Sequence, residues 1–298
     1  MDLTDFKILS GLFICAEFLT IFVLVNPIIM QNNDRPIGIF DSGVGGLTVA
    51  NAIRQVLPGE KLIYFGDTAH LPYGDKSKET IIAYSIRITQ FLLEQQCKVI
   101  VIACNTASAN AHEDILHETG NRALVVDVID PVTEHVALHS TYRRIGVIGT
   151  KGTINSGTYV TKIISRNPHL AVASLATPML VPMIEEGFIF DDISNAIIRS
   201  YLSKPELNQI DALILGCTHY PIIKNQISRF FNFEVDVIDS SRIVANYLRN
   251  LLIQNDQLST QSKPVHRFLV SDFTDYFQAI SRLFFEENIA LEKVNLWK

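Results

Sequence analysis

The sequence predicts an α/β fold of two similar open parallel-sheet domains, facing each other in a pseudo-twofold arrangement with a site in the cleft between them. Three observations carry this. The stretch Lys98-Val-Ile-Val-Ile-Ala-Cys104-Asn-Thr-Ala-Ser108 is an apolar, β-branched run that ends in a small residue, a cysteine and hydrogen-bonding side chains. Ala212-Leu-Ile-Leu-Gly-Cys217-Thr-His-Tyr-Pro221 repeats the pattern. Uniformly apolar runs of this length read as buried parallel strands, and open α/β sheets place ligands beyond the carboxyl ends of such strands. Third, the run from a small-residue loop to the cysteine has a similar length in both halves, 41 to 104 and 150 to 217. A duplicated unit of strand, loop, helix, strand, helix, strand and cysteine accounts for all three.

Taken in order, the first 30 residues stand apart. Ile8 to Ile29 is nearly all apolar, broken by Ser10, Glu17, Thr20 and Asn26, close to the ~20 residues that span a bilayer. Asp2 and Asp5 against Lys7 do not make a positive leader region, no A-x-A site follows, and Ile14 precedes Cys15 where a lipoprotein signal needs a small residue. Residues 1–34 are therefore read as an appendage, an added helix or sequence upstream of a start at Met30. A membrane anchor is the lesser alternative.

From Pro36 the chain alternates. Pro36–Phe40 is a strand, Asp41-Ser-Gly-Val-Gly-Gly46 a loop open to anion binding at a helix start, and Leu47–Leu57 the helix. The loop lacks the GK[ST] of a P-loop. Lys61–Phe65 is the second strand, followed by a turn-rich segment holding Asp67 and Pro72-Tyr73-Gly74; apolar residues at helical spacing make Ser77–Gln96 a helix. The Cys104 strand, a helix over Ala107–Thr119 and a strand over Ala123–Val128 complete the first series. The second has a strand Arg144–Ile148, a loop Gly149–Thr153, a helix Ser156–Ser165, a strand near Leu170–Leu175, a stretch Thr177–Gly187, a helix around Ile193–Leu202 and the Cys217 strand. Val235–Ile238, a helix Ser241–Leu252, a polar spacer Gln254–Lys263, a strand His266–Val270 and a last helix end the chain. The expected domains are 35–130 with 242–298, and 131–241.

Composition narrows the function. Over 298 residues the formal charge is −6, with 19% charged and 48% hydrophobic residues, and no basic stripe marks a nucleic-acid surface. The four cysteines, Cys15, Cys97, Cys104 and Cys217, include no CxxC and accompany no histidine pair at metal spacing. Reduced thiols in a cytoplasm fit this usage. Cys15 and Cys97 are read as small hydrophobes.

Two thiols on opposite sides of a cleft suit one chemistry. Inverting an sp³ carbon by proton transfer needs a base on one face and an acid on the other. A thiol, ordinarily of pKa about 8.5, serves as either. Asn105, Thr106, Thr218 and His219 flank the cysteines and can hold a carboxylate and an amino group. Asp41 and Glu185 can position the thiols or exchange protons with them, although a helix cap or a surface charge is the ordinary use of such a residue. His70, His112, His117, His135, His139, His169 and His266 are read as surface or packing residues.

Gly38-Ile-Phe-Asp-Ser-Gly-Val-Gly-Gly46, Asp67 with Pro72-Tyr-Gly74, Ala103-Cys-Asn-Thr-Ala-Ser108 and Gly216-Cys-Thr-His-Tyr-Pro221 together resemble the glutamate racemases, over about residues 36 to 245. The resemblance implies a cofactor-independent, metal-free isomerase that interconverts L- and D-glutamate and supplies D-glutamate for peptidoglycan. It implies that Cys104 and Cys217 are the catalytic thiols, that Asp41 assists the first, and that Glu185 and His219 assist the second. It places substrate contacts on Asp41, Ser42, Tyr73, Gly74, Asn105, Thr106, Thr153, Thr218 and His219. His70 stands where the family often has arginine. A homodimer and regulation by a cell-wall precursor are further features the resemblance allows. Four alternatives fit the residues less well. Aspartate racemases differ in the residues after the cysteines, a related decarboxylase keeps one thiol, and a non-catalytic amino-acid-binding module would not need two matched cysteines. A pyridoxal-phosphate racemase would need a Schiff-base lysine in a recognisable setting, and none is present.

Overall fold

The computed structural model describes residues 32–297 apart from 140 and 286. The apolar lead, Cys15 and the alternative start at Met30 lie outside the described residues. Among the described residues no helix is long and apolar enough to cross a membrane.

Two all-parallel sheets form the frame. Strands β1 (Ile37–Asp41), β2 (Leu62–Gly66), β3 (Val99–Ile102), β4 (Leu124–Asp127), β9 (Arg267–Val270) and β10 (Leu291–Lys293) make a six-stranded sheet in the order β10-β9-β2-β1-β3-β4. Strands β5 (Arg144–Gly149), β6 (Ala171–Ala176), β7 (Ala212–Gly216) and β8 (Asp236–Ile238) make a four-stranded sheet in the order β6-β5-β7-β8. The central strands β1, β2, β3 and β7 are buried along their whole length. That is why they read as unbroken apolar runs rather than alternating ones.

Register sets the level of the strand ends, and with it the site. Asp41 pairs with Gly66 and Phe40 with Ile102, so Asp41, Asp67 and Cys104 emerge along one edge of the first sheet. Gly149 pairs with Gly216, which puts Thr150 and Cys217 side by side at the edge of the second.

Helices cover both sheets: α1 (Leu47–Val56), α2 (Lys78–Glu94), α3 (Asn105–Thr119), α4 (Asp130–Leu138), α5 (Lys151–Asn155), α6 (Thr158–Arg166), α7 (Leu180–Glu185), α8 (Asp192–Leu202), α9 (Lys224–Phe230), α10 (Ser240–Gln254) and α11 (Asp275–Phe285). One apolar cluster runs from Ile37, Ile39 and Val101 through Val244 and Leu248 of α10 to Leu213, Leu215 and Tyr220, so the two sheets share a core. Each buried aliphatic side chain of this kind contributes about 1.5–3 kcal/mol. The outer faces carry their own clusters, Phe40, Phe65, Ile88 and Ile102 on one sheet and Ile145, Val147, Tyr159 and Ile163 on the other.

The structure departs from the sequence reading in four places. The expected helix Ser156–Ser165 is α6, which starts only at Thr158 after Gly157, whose φ of +67° is one that L side chains rarely adopt, and the expected loop Gly149–Thr153 runs into a short helix of its own, α5. Helix α3 starts at Asn105, directly after Cys104, which leaves the thiol at the helix start. Thr177–Gly187 contains α7, which carries Glu185 at its last residue, and α4, α9 and β10 were unread. The glycine loop after β1 already holds an anion at its helix start, the chain's own Asp41. Its Oδ2 accepts the N–H groups of Gly43 and Gly46, both at 3.1 Å.

Candidate active site

The carboxyl edges of both sheets meet around a cavity of about 260 Å³. Its lining includes Cys104 and Asn105 from the first sheet and Cys217 and His219 from the second. Ser42, Tyr73, Gly74, Thr106, Glu185 and Thr218 also line it, and Leu71, Pro72, Pro178, Val181 and Pro182 supply apolar walls. Each cysteine follows its strand because a parallel strand must hand over to a helix or turn at this edge, and the first residues there face the opening.

The two thiols have different surroundings. Cys104 is buried, and its Sγ–H donates to Ser42 Oγ at 3.7 Å. Burial, reinforced by the neighbouring Asp41 charge, pushes this thiol up to about 12. Burial likewise raises Asp41, opposed by the charge of His219 and the loop N–H groups. Its second oxygen, Oδ1, is buried with no hydrogen-bond partner among the described residues. The first thiol thus sits beside a buried carboxyl whose burial raises its pKa, with one oxygen uncommitted.

Cys217 Sγ lies 3.8 Å from His219 Nδ1, and His219 Nε2–H donates to Glu185 Oε1 at 3.0 Å. Burial pulls the imidazole down, but hydrogen bonds and charge from Cys217 and Glu185 outweigh it and raise His219 to about 10. Phe284 of α11 presses its ring against the imidazole at 5.0 Å and 78°. The second thiol therefore faces a clamped imidazole whose charged form Cys217 and Glu185 favour.

Other groups fix the walls. Tyr159 O–H donates to Asn105 Oδ1 at 2.7 Å and holds the amide, whose buried Nδ2 has no partner among the described residues. Asn105 Nδ2 and Asp41 Oδ1 thus offer one donor and one acceptor. The hydroxyls of Thr106, Thr150 and Thr153 bond one another at 2.9, 3.0 and 3.3 Å and tie α3 to α5.

Of the residues expected at the site, Asp41 and Thr153 are not in the cavity wall. Asp41 is the last residue of β1, one before the lining Ser42, and Thr153 is hydrogen-bonded to the lining Thr150 at 3.0 Å. Thr150, Lys151 and the apolar wall were missed. Thr150 is the first residue after β5, as Ser42 is the first after β1, and that matching strand-end position is the sequence signal that could have found it. Cys97 is a buried small hydrophobe, as read, with its sulfur against Gly38. Among the described residues His112, Asp127 and Asp130 form one group with metal-ligand types. It lies away from the cavity, and Lys162 and Arg166 already pair with Asp130 at 2.7 and 2.9 Å.

Comparison with known proteins agrees with this geometry. Residues 47–248 match the family model described as Asp/Glu/Hydantoin racemase. The glutamate racemase of Chlorobaculum parvum is 42% identical over 250 residues, covering 84% of this chain and 92% of that one. A crystal structure of glutamate racemase from Francisella tularensis in complex with D-glutamate superposes with a TM-score of 0.84 at 40% identity, over 89% of this chain and 99% of that one. The Escherichia coli glutamate racemase, in complex with L-glutamate and the activator UDP-MurNAc-Ala, gives a TM-score of 0.70 at 26% identity, over 87% and 98%. With the family model covering most of the chain and two cysteine-tipped sheets enclosing one cavity, the chain belongs to the Asp/Glu/hydantoin racemase family.

Proposed function

We propose that this chain is an isomerase that interconverts L- and D-glutamate by two-thiol proton transfer, and so supplies D-glutamate for peptidoglycan and cell-wall growth. The observation that carries it is the pair of cysteines, one per sheet, lining a single cavity. One sulfur, as thiolate, takes the proton from Cα. The other, as thiol, delivers a proton to the opposite face. The electron pair left by the broken C–H bond moves toward the substrate carboxylate and returns to form the new C–H bond. After one turnover the first sulfur is protonated and the second is not.

The carbanion is the difficult species, and fixed dipoles lower its cost. Backbone N–H groups at the start of α3 and after Cys217, with the hydroxyls of Thr106 and Thr218, are the donors for the carboxylate. Asn105 Nδ2 is a further donor. Asp41 takes the Cys104 proton when that thiol must become the base, and the His219–Glu185 pair does the same for Cys217. Thr153 acts through Thr150 in this reading. The moving parts are residues 35–130 with 242–298 on one side and 131–241 on the other. No step needs a cofactor or a metal.

The thiols work in a reducing compartment, so we place the protein in the cytoplasm; the homodimer that the family resemblance allows is part of the proposal. Control by a cell-wall precursor is part of the proposal, supported by the activator named with the Escherichia coli structure.

The test is racemisation of L-glutamate by purified protein without added cofactor, followed by optical rotation. In D₂O, early product should carry deuterium at Cα while recovered substrate stays protonated. Cys104→Ala and Cys217→Ala should each stop racemisation. Protium in the first product, or a single-cysteine variant that still racemises well, points to one base serving both faces and ends the two-thiol reading.

A further inference from the structure

Asp67 belongs to the sequence pattern that marks this chain, yet it does not line the cavity. It is fully buried. An isolated carboxylate there would be costly, and four side-chain donors surround it. Ser271 O–H, just beyond β9, donates to Oδ1 at 2.7 Å, and Trp297 Nε1–H donates to the same oxygen at 2.9 Å. Tyr73 O–H donates to Oδ2 at 2.7 Å, and His70 Nδ1–H lies 3.0 Å from both oxygens. The His70 ring is stacked on Tyr84 at 4.2 Å and meets the edge of Trp297 at 4.5 Å.

Two of these donors come from the far end of the chain, and one of the four, Tyr73, is a wall of the cavity beside Cys104. Tyr73 is buried, so its hydroxyl hydrogen has Asp67 as its place to go. The loop it anchors packs directly on the second half of the site, since Gly74, the next residue, lies so close to Thr150 that a Cβ built on it would be 2.9 Å from Thr150 Cβ. The position of Tyr73 therefore sets how the Cys104 wall meets the other half of the site.

We propose that Trp297, together with Ser271, is a positioning residue for substrate binding: the C-terminal segment, through Asp67, holds Tyr73 and the Leu71–Gly74 wall in place. Trp297 touches no substrate in this arrangement. It orients the carboxylate that orients the tyrosine. A tail that served only to cover the sheet edge would need the indole ring but not its N–H.

The proposal rests on the racemase reading, and wild-type turnover of glutamate tests that reading separately. The experiment is a cycle of Trp297→Phe, Tyr73→Phe and the double variant, measured in both reaction directions. Trp297→Phe keeps the ring and removes one donor, so KM for glutamate should rise about three- to tenfold, the scale of one hydrogen bond, with kcat changed less than twofold. Added to Tyr73→Phe, it should raise KM no further, because the link it acts through is already cut. Ser271→Ala, which leaves the indole in place, should repeat both results if Trp297→Phe does not fold. An unchanged KM in the folded single variants, or effects that multiply in the double variant, overturns the proposal.

Discussion

Gly45 and His219 touch across the two sheets: a Cβ built on Gly45 would lie 2.4 Å from the imidazole ring and 2.6 Å from Thr218 Oγ1. The glycine loop of the first half is thus the floor on which the imidazole of the second half rests. Glycine there serves close approach rather than an unusual backbone angle. Gly45→Ala should push the imidazole off Cys217 and Glu185 and lower kcat by about a hundredfold or more, the range for losing a positioned acid–base group. Circular dichroism should show a folded protein. A kcat near wild type would mean that the His219 ring position is not needed.

Asp41→Asn should impair one reaction direction more than the other. The substitution keeps an acceptor for the loop N–H groups but removes the group that can take the Cys104 proton, while the Cys217 side keeps His219 and Glu185. With Cα-deuterated D- and L-glutamate, the isotope effect on kcat should grow for the enantiomer that Cys104 deprotonates and stay nearly unchanged for the other. Equal slowing from both enantiomers would remove Asp41 from the proton path.

His219 gives a pH dependence with a definite sign. Its folded value, about 10, lies above the ordinary 6.5, because bonding to Cys217 and Glu185 outweighs the opposing effect of burial. Stability from the imidazolium is therefore fully present below about pH 6.5 and is lost as pH rises through about 10. The melting temperature of wild type relative to His219→Asn should fall across that window. Glu185→Gln removes one cause of the upward shift, so the alkaline limb of kcat should move to lower pH. A limb that stays where it was would detach Glu185 from His219 in the working enzyme.

Glutamate should be turned over far faster than aspartate. One methylene in a pocket is worth only about 1–3 kcal/mol in binding, and misplacement of Cα between the two sulfurs adds to it. The comparison is kcat/KM for the two amino acids, and similar values would assign the chain a broader substrate class within its family.

The local chain determined much of this. Val99–Ile102 and Ala212–Gly216 are apolar throughout because both faces of a central parallel strand are buried, and that burial is visible in one dimension. The residues that follow such strands, Cys104 with Asn105 and Thr106, Cys217 with Thr218 and His219, are therefore legible as site residues from order alone. Chain order does not contain the relation between strand ends. That Thr150 stands beside Cys217 follows from the β5–β7 register, which pairs Gly149 with Gly216. That Asp41 caps its own loop instead of lining the cavity is decided by which N–H groups the fold leaves in reach of a buried carboxylate. Glu185 meets His219 because α7 ends there, and α7, six residues long and containing Pro182, has little periodicity to show. Trp297 reaches Asp67 from the other end of the chain, a contact between residues 230 positions apart. Local propensity and patterning speak for neighbours a few residues away. The shifted pKa values, the shared cavity and the clamp behind Tyr73 arise from distances that exist only once the two sheets have packed on one core.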